Sequence, residues 1–299
     1  MTLASDLSLG WQTDLIFARF DGLVHTCDDH VAVRTPTNPS YWWGNFLIFR
    51  QAPQNGDLAR WQAAFERAIT AHQPQSRHMT FGVDLAGPLA LPPDFADAGF
   101  ELQQTAVLTL SAHQPRVPAA RMPEGFAWHV LDVNQHQQAI VAQQVAVDAV
   151  RYEIAGYRQF AERQMSRYAA MQAAGLGHWF GMVARDSMSP TLAATCGLFR
   201  DPARPGLGRF QYVSTHPAWQ RRGLCTALVS ATVEFAFAHM HLQQLVIVAN
   251  PAEHALGIYR SLGFQPAASA WQLERPPPSQ AATQGITSPR PPPGDPTAG

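Results

Sequence analysis

The sequence contains no lysine, because all 21 of its basic residues are arginine. This absence excludes a lysine-dependent phosphate loop and any lysine modification. Cysteine is scarce as well: Cys27, Cys196 and Cys225 are odd in number, far apart and without a C-x-x-C pair. A disulfide framework and a zinc site are therefore disfavoured. We expect no bound metal ion and a reducing, cytoplasmic environment.

A strong net charge and long apolar runs are also missing. The 299 residues carry a formal net charge of −1, so no overall field attracts nucleic acid or an anionic membrane. Residues 1–15 contain acidic side chains and lack the apolar core of a signal peptide. No apolar stretch is long enough to cross a bilayer. The predicted partners therefore include neither nucleic acid nor a membrane, and the oligomeric state stays open.

Proline-rich segments divide the chain. The stretch 111–123 holds three prolines and few apolar residues, which is typical of a linker between folded units. From residue 276 onward Pro, Ser, Thr and Gly dominate, so this segment cannot bury enough apolar surface to fold. The sequence therefore predicts domains at 1–115 and 120–275 and a disordered tail at 276–299.

Hydrophobic periodicity in the second half predicts a strand, two helices, three strands, and then helix, strand, helix, strand. The predicted strands lie at 126–131, 179–184, 191–199, 209–213, 244–249 and 264–273. The predicted helices lie at 135–150, 155–174, 221–240 and 252–262. A turn is predicted at PGLG, residues 205–208, before the fourth strand.

The stretch THPAWQRRGLCTAL, from Thr215 to Leu228, places a glycine and two arginines where the fourth strand gives way to a helix. Free N–H groups at a helix N-terminus and the helix dipole bind anions. Gly223 lets a ligand approach the backbone, and the Thr226 hydroxyl adds a donor. The spacing matches neither a Walker A loop nor a dinucleotide fingerprint. It predicts a site for a phosphorylated ligand.

This order of elements resembles the GNAT superfamily of N-acetyltransferases. Gln220, Gly223 and Cys225 stand at the marked positions of the family's R/Q-x-x-G-x-G/A motif, after a V-x-x-x-P lead-in at Val213–Pro217. Cys225 departs from the family's Gly or Ala but is also small, so a tighter fit is expected rather than a loss of binding.

A second motif strengthens the resemblance. Asn250 follows the fifth strand, Tyr259 lies on the next helix, and the pair Gly263 and Phe264 opens the last strand, as in the family. The resemblance covers roughly residues 126–275. It implies the α/β (α+β) acyl-CoA N-acyltransferase fold, with a mixed, mostly antiparallel twisted sheet flanked by helices.

The resemblance also implies roles for individual residues. Acetyl-CoA would be the acyl donor, and Tyr259 would protonate or hydrogen-bond the leaving thiolate. The residues implied to bind the cofactor are Val213 and Thr215 (backbone), Gln220, Arg221, Arg222, Gly223, Leu224, Cys225, Thr226 and Asn250.

Other interpretations of these residues stay open. Tyr259 is also suited to a plain core position, and Asn250 to a helix cap before Pro251. Cys225 reads as a buried small residue rather than a nucleophile. No general base is evident, and His216, His178 and a water relay are alternatives.

The first half shows a short echo of the second. Its predicted elements are a strand at 41–49, a helix at 58–71, a strand at 78–84, and a helix end with Gly-Phe and a strand within 97–110. The segment 50–57 lacks the R-x-x-G-x-G pattern. We therefore predict tandem GNAT-like halves, the first unable to bind the cofactor, with an unrelated α/β substrate domain as the alternative. The residues that would line an acceptor site or belong to the core are Asn38, Tyr41, Trp42 and Trp43.

These observations predict an enzyme that transfers an acetyl group from acetyl-CoA to a primary amine of a small-molecule or peptide acceptor. The alternative is a non-catalytic regulator that binds acyl-CoA, suggested by the missing base and by Cys225. A nucleic-acid-binding protein is disfavoured by the near-zero net charge.

Overall fold

The structure is a computed structural model that describes residues 6–115, 117–148, 154–185 and 191–277. Most of the connection between the predicted strands 179–184 and 191–199 and nearly all of the predicted tail lie outside these residues. None of the helices in the described ranges has the length and apolar character needed to span a membrane.

The chain contains eleven strands and seven α-helices within these residues. The helices are α1 (Leu9–Asp21), α2 (Leu58–Phe65), α3 (Pro93–Asp97), α4 (Val133–Asp148), α5 (Ile154–Ala173), α6 (Leu224–Ala238) and α7 (His254–Ser261). The strands are β1 (Leu23–Thr26), β2 (His30–Arg34), β3 (Phe46–Phe49), β4 (Met79–Val83), β5 (Glu101–Ser111), β6 (Phe126–Leu131), β7 (Gly177–Ala184), β8 (Thr191–Asp201), β9 (Arg204–Thr215), β10 (Gln244–Ala249) and β11 (Gln265–Arg275).

The described residues divide into two compact units. The first unit comprises 6–107, 248–251 and 267–277, and the second comprises 108–247 and 252–266. These limits differ from the domain limits predicted from the sequence. The reason is β11, which pairs antiparallel with β4 from Trp271 opposite Val83 to Arg275 opposite Met79. Its place in the first unit depends on long-range backbone pairing, which sequence order does not show.

The first unit is built on a mixed sheet with the strand order β1, β2, β3, β4, β11, β5. Strands β3 and β4 are parallel and are linked by α2, which continues as one π-helical turn over Glu66–Thr70. Large aromatic side chains fill its core: the Phe49 ring stacks on Trp61 at 3.7 Å, and Phe81 meets Trp61 edge-on at 5.3 Å. Burial of such rings is a main stabilising term for a domain of this size.

The second unit has the strand order β10, β9, β8, β7, β6, with antiparallel neighbours except for the parallel pair of β9 and β10. Neighbouring side chains of β7 show that α5 and α6 cover opposite faces of this sheet. Trp179 packs on Tyr168 of α5, whereas Phe180 packs on Phe235 of α6. The predicted mixed, mostly antiparallel sheet flanked by helices is confirmed.

Two local predictions are wrong. The predicted strand 41–49 begins only at Phe46, because Trp42–Gly44 forms a 3₁₀ turn. The Asn45 side chain fixes this turn, donating to the Tyr41 carbonyl at 2.8 Å and accepting from the Thr35 N–H at 2.8 Å. Such side-chain bonds to the backbone compete with strand pairing.

The second error concerns the turn before β9, which was predicted at 205–208. The chain turns at 202–203 instead, between Asp201 and Arg204, which lie opposite each other in the β8–β9 ladder. The Asp201 carboxylate holds this tight turn, accepting from the Ala203 N–H at 2.9 Å and from Arg204 Nε at 2.9 Å. The α1, β1 and β2 elements were not predicted at all.

His78 links the stability of the first unit to pH. Its ring is 2% exposed, stacks on Trp42 and donates from Nε2 to the Asn45 carbonyl at 3.1 Å. Burial lowers the pKa of His78 to about 4. Because the unfolded chain takes up this proton near pH 6.5, the stability that the neutral ring contributes is present above pH 6.5 and lost as the pH falls toward 4.

We therefore expect the free energy of unfolding to fall by about 2 kcal/mol from this group between pH 7 and pH 5. His78→Gln should reduce that drop by about this amount, measured by urea unfolding at both pH values. H72Q, at an exposed histidine, is the control. An equal pH dependence in H78Q and the wild-type protein would contradict the assignment.

Candidate active site

The N-terminus of α6 presents free backbone donors. Gly223, just before the helix, and Arg221 both adopt left-handed backbone, with φ of 73° and 59°. Left-handed residues in a turn gather N–H groups into a concavity that suits an anion. The first bond within the helix runs from the Ala227 N–H to the Gly223 carbonyl, and no described side chain caps this end. The amides left at the positive end of the helix dipole are those of Leu224, Cys225 and Thr226.

The space beside Gly223 is open. A Cβ built on Gly223 meets no atom within 4 Å apart from its chain neighbours. The sequence predicted a helix from Arg221, but the helix begins three residues later because Arg221 and Gly223 have non-helical backbone. Arg221 and Arg222 therefore lie in the turn that faces the helix end, where their charges add to the dipole.

Neighbouring side chains organise the turn. The guanidinium carbon of Arg222 lies 4.8 Å above the ring centroid of Trp219, and the Trp219 ring also meets Phe126 edge-on at 5.3 Å. The Gln220 amide donates to the Thr215 carbonyl at 3.4 Å. A stacked guanidinium loses less side-chain freedom when it binds a ligand. The turn thus carries a partly ordered cation beside the open amides.

Strands β9 and β10 part close to this turn. Their parallel pairing runs from Leu207 opposite Gln244 to Arg209 opposite Val246. Strand β9 continues to Thr215, and over this last part its described pairing is with β8 alone. The backbone of β9 therefore has one edge available to an extended ligand, which can pair with it as a strand would.

A β-bulge lies within this free part of β9. Gly197 of β8 is opposite Gln211, and Thr195 is opposite Ser214, so two residues of β9 oppose one residue of β8. The two residues of β9 that oppose the single residue Cys196 of β8 are Tyr212 and Val213. Tyr212 has a φ of 44°, which is rare for a non-glycine residue. The bulge changes the direction of the backbone groups near Val213.

Polar groups accompany this part of the strand. The Ser214 hydroxyl is hydrogen-bonded to the side-chain amide of Gln143 on α4, with 3.0 Å between Oγ and Nε2 and 3.1 Å between Oγ and Oε1. The Thr215 hydroxyl oxygen is buried and has no hydrogen-bond partner among the described residues. An unpartnered buried hydroxyl costs free energy, which a bound ligand with a polar group would recover.

Tyr259 lies on α7, in the second unit, and is 4% exposed. Its ring lies 6.3 Å from that of Phe264. Burial raises the pKa of the Tyr259 phenol well above its usual value, and the nearby Cys225, Cys196 and Glu253 raise it further. The group therefore remains a protonated hydrogen-bond donor at neutral pH.

The two cysteine thiols beside Tyr259 are unreactive. Burial raises the pKa of Cys225 to about 12, and it raises the pKa of Cys196 further, although the Thr232 hydroxyl 3.7 Å away opposes this shift. Only the thiolate is a nucleophile, and neither group forms one at neutral pH. Cys225 is half-buried rather than fully buried, and its raised pKa agrees with the interpretation that it is not a nucleophile.

Asn250 lies immediately after β10. The interpretation of this residue as a helix cap is wrong, because α7 begins only at His254 and its N-cap is Glu253. The turn residues between Asn250 and Glu253 separate it from the helix. Its predicted contact with a cofactor stays a prediction.

The two histidines considered as bases are poorly placed for that role. His178 packs edge-on against Phe235, which follows Gly223 by roughly 18 Å along the axis of α6. His216 accepts a hydrogen bond from the Ala218 N–H through Nδ1, at 3.2 Å. That bond already engages Nδ1 as an acceptor.

Sequence reasoning missed a cluster next to the bulge. The Asp148 carboxylate, on α4, accepts hydrogen bonds from Tyr157 and Tyr212, each at 2.5 Å. The three residues are distant in the sequence and follow no spacing rule. The cluster could be found only by knowing that α4, α5 and β9 meet in the folded chain.

The comparisons with known proteins agree with this geometry. Residues 146–264 match the model of the acetyltransferase (GNAT) family. The matched residues lie within the part of the chain for which the sequence predicted a GNAT-like domain. A search of curated proteins found no match to the chain.

Solved structures extend the similarity of fold to most of the chain. A functionally unknown conserved protein from Staphylococcus epidermidis is 12% identical, with 86% of this chain and 95% of that one covered and a TM-score of 0.65. A GCN5-related N-acetyltransferase from Kribbella flavida is 15% identical, with 94% and 98% covered and a TM-score of 0.61. A tandem GNAT protein from the clavulanic acid biosynthesis pathway is 15% identical, with 92% and 94% covered and a TM-score of 0.55. The first half is therefore GNAT-like in structure, which agrees with the predicted tandem arrangement of two such halves.

The turn before α2 is the counterpart, in the first unit, of the turn before α6. Gly56, with φ of 97°, precedes α2 as Gly223 precedes α6 in the second unit. Its N–H, however, already donates to the Asp94 carboxylate at 2.8 Å. The parallel ladder of β3 and β4 also runs to the strand ends, at Phe49 opposite Val83. A resident carboxylate and a closed ladder leave little room for a phosphorylated ligand there.

Gly223 and Gly56 form a matched pair for a test. Both have positive φ, and a Cβ on either meets no protein atom within 4 Å, so alanine adds similar backbone strain at each. We expect Gly223→Ala to weaken binding of coenzyme A by about 10- to 100-fold, the worth of about one charge-assisted hydrogen bond. Gly56→Ala should leave the affinity unchanged. Isothermal calorimetry measures both, and equal affinities of G223A and the wild-type protein would show that the ligand lies elsewhere.

Proposed function

We propose that the protein is an N-acetyltransferase that transfers the acetyl group of acetyl-CoA to a primary amine by direct attack. The observation that carries the proposal is the open N-terminus of α6, with three free amides and two arginines, beside a strand whose free edge is bulged. An anion site and an extended-chain site in succession fit the diphosphate and the pantetheine arm of an acyl-CoA.

The diphosphate would bind the amides of Leu224, Cys225 and Thr226, with Arg221 and Arg222 adding charge. Each charge-assisted hydrogen bond contributes about 1.5–3 kcal/mol, so several give useful affinity. The arm would then pair with the free edge of β9 near Thr215. The Val213 N–H in the bulge would hold the thioester carbonyl and stabilise the oxyanion.

Tyr259 would assist the departure of the thiolate. A phenol whose pKa lies above 10 does not transfer its proton fully to a thiolate of pKa about 8.5. It can still donate a hydrogen bond that strengthens as negative charge develops on sulfur. In this role the high pKa is an advantage, because it keeps the donor protonated.

Proton removal from the amine needs another route. An alkyl ammonium of pKa about 10.4 is mostly protonated at pH 7. Since His178 and His216 are unsuited as bases, water lying between the ammonium and bulk solvent would carry the proton. The acceptor is a small molecule or a peptide that offers a primary amine.

The second candidate function is a non-catalytic regulator that binds acyl-CoA. The unsuitability of His178 and His216 as bases and the cysteine at position 225 of the R/Q-x-x-G-x-G/A motif favour it. Calorimetry with acetyl-CoA and a free-thiol release assay over a panel of amines separate the two. Binding with no turnover on any amine would favour the regulator, and no binding at all would exclude both.

Tyr259→Phe provides a direct test of the catalytic role. Removing the hydroxyl should lower kcat by about 100-fold, because a hydrogen bond to the leaving group is lost, and should leave the Kd of coenzyme A unchanged. Thiol release gives kcat, and calorimetry gives Kd.

Tyr168→Phe is the control for this test. Tyr168 is a buried tyrosine on α5 whose hydroxyl donates to the Gln211 side chain at 3.3 Å. The Y168F variant should keep the wild-type kcat. A Y259F variant with full turnover would remove the tyrosine from the mechanism.

A further inference from the structure

The conformation of Tyr212 requires an explanation. Its φ of 44° is rarely adopted by a bulky side chain, and it occurs at the bulge of β9. Such conformations persist only where the surroundings hold them, and they cluster at functional sites. The contacts of the Tyr212 side chain identify what holds this one.

The bulge reverses the face on which Tyr212 lies. Phe210 packs edge-on against Phe264, and Gln211 contacts Tyr168 of α5. Strict alternation along β9 would return Tyr212 to the face of Phe210. Instead its hydroxyl reaches Asp148 at the end of α4, on the side of the helical pair α4 and α5.

The Asp148 carboxylate is a strong anchor. One of its oxygens, Oδ2, accepts from the hydroxyls of both Tyr212 and Tyr157 at 2.5 Å, and the two hydroxyls are 3.0 Å apart. Asp148 is 3% exposed and Tyr157 1% exposed, so water does not compete for these bonds. Hydrogen bonds from a hydroxyl to a carboxylate are shorter and stronger than neutral ones.

Tyr212 remains a hydrogen-bond donor at neutral pH. Burial raises the pKa of Tyr212 well above its usual value, and Tyr157 and Asp148 raise it further. Oδ2 already receives two hydroxyl protons, and Asp148 is closed to solvent. The cluster is therefore built to hold a position rather than to remove a proton from an amine.

We propose that Asp148 and Tyr157 are positioning residues for acyl transfer: they hold the Tyr212 side chain, and with it the bulge of β9 that directs the Val213 N–H. This inference rests on the proposed function, since it concerns the amide that would hold the thioester carbonyl. The anion site at α6 lies outside the cluster. Loss of the tether should therefore change turnover and not the binding of coenzyme A.

The principal test is Tyr212→Phe, which keeps the ring and removes the hydroxyl. We expect kcat to fall about 10- to 100-fold, because a small displacement of a catalytic group has an effect of this size. The Kd of coenzyme A should stay within about threefold, since its diphosphate binds elsewhere. Asp148→Asn, which removes the charge, should give the same split between kcat and Kd. Tyr157→Phe, which leaves the Tyr212–Asp148 bond in place, should have a smaller effect in the same direction.

Tyr168→Phe is the matched control, because it removes a tyrosine hydroxyl that contacts the residue before Tyr212. It should leave kcat and Kd unchanged. Turnover is measured by thiol release from acetyl-CoA with the amine that the wild-type protein acetylates fastest. If Asp148→Asn does not fold, the two tyrosine variants decide the matter.

Crystal structures of the Y212F and Y157F variants give a readout that does not depend on activity. We expect residue 212 of Y212F to return to negative φ and the β8–β9 register to change at the bulge. Wild-type kcat in Y212F, a φ that stays positive, or equal losses of kcat and coenzyme A affinity would each overturn the proposal. A wild-type protein that binds no coenzyme A would instead refute the proposed function, and the variant structures would still decide whether the tether holds the bulge.

Discussion

The surface that we propose to bind acyl-CoA depends on where the pairing of β9 and β10 stops. The two parallel strands are bonded only as far as Arg209 and Val246, and β9 then continues to Thr215 with a free edge. A free strand edge is a liability unless something covers it or binds it. Here it leads directly into the turn and the uncapped N-terminus of α6, so one short stretch of chain offers both strand-like and anion-binding contacts.

The first unit shows what the same arrangement becomes when the ladder is complete. Strands β3 and β4 are also parallel and also joined by a helix, but their pairing reaches the ends of both strands. The glycine before the helix has its amide bound by Asp94. Of the aromatic residues considered for an acceptor site, Trp42 is buried against His78, and the half-buried Trp43 donates to Glu274 at 2.6 Å. Repetition of a fold therefore does not repeat its ligand site, because the site depends on which backbone groups remain unpaired.

Much of the second half could be predicted from the sequence. The strand at 126–131 and the strand at 244–249 have the predicted limits, since apolar runs bounded by turn residues define short buried strands well. The glycine at the head of α6 was recognised from its motif. The start of that helix was misplaced because a left-handed arginine leaves no trace in hydrophobic periodicity. The bulge at Tyr212 and its partner Asp148 could not be found at all, because a bulge is a property of two strands in register.

The sequence by itself determined the class of the fold and the position of the turn before α6 that we propose to bind an anion, because both follow from local pattern: apolar periodicity and a glycine beside cationic side chains at a helix start. Only the tertiary structure decided that β11 completes the first unit, that α2 has no open anion site, and that Asp148, Tyr157 and Tyr212 meet. Each of these depends on contacts between residues far apart in the chain. Such contacts are selected by the packing and pairing of whole elements, and no short stretch of sequence encodes them alone.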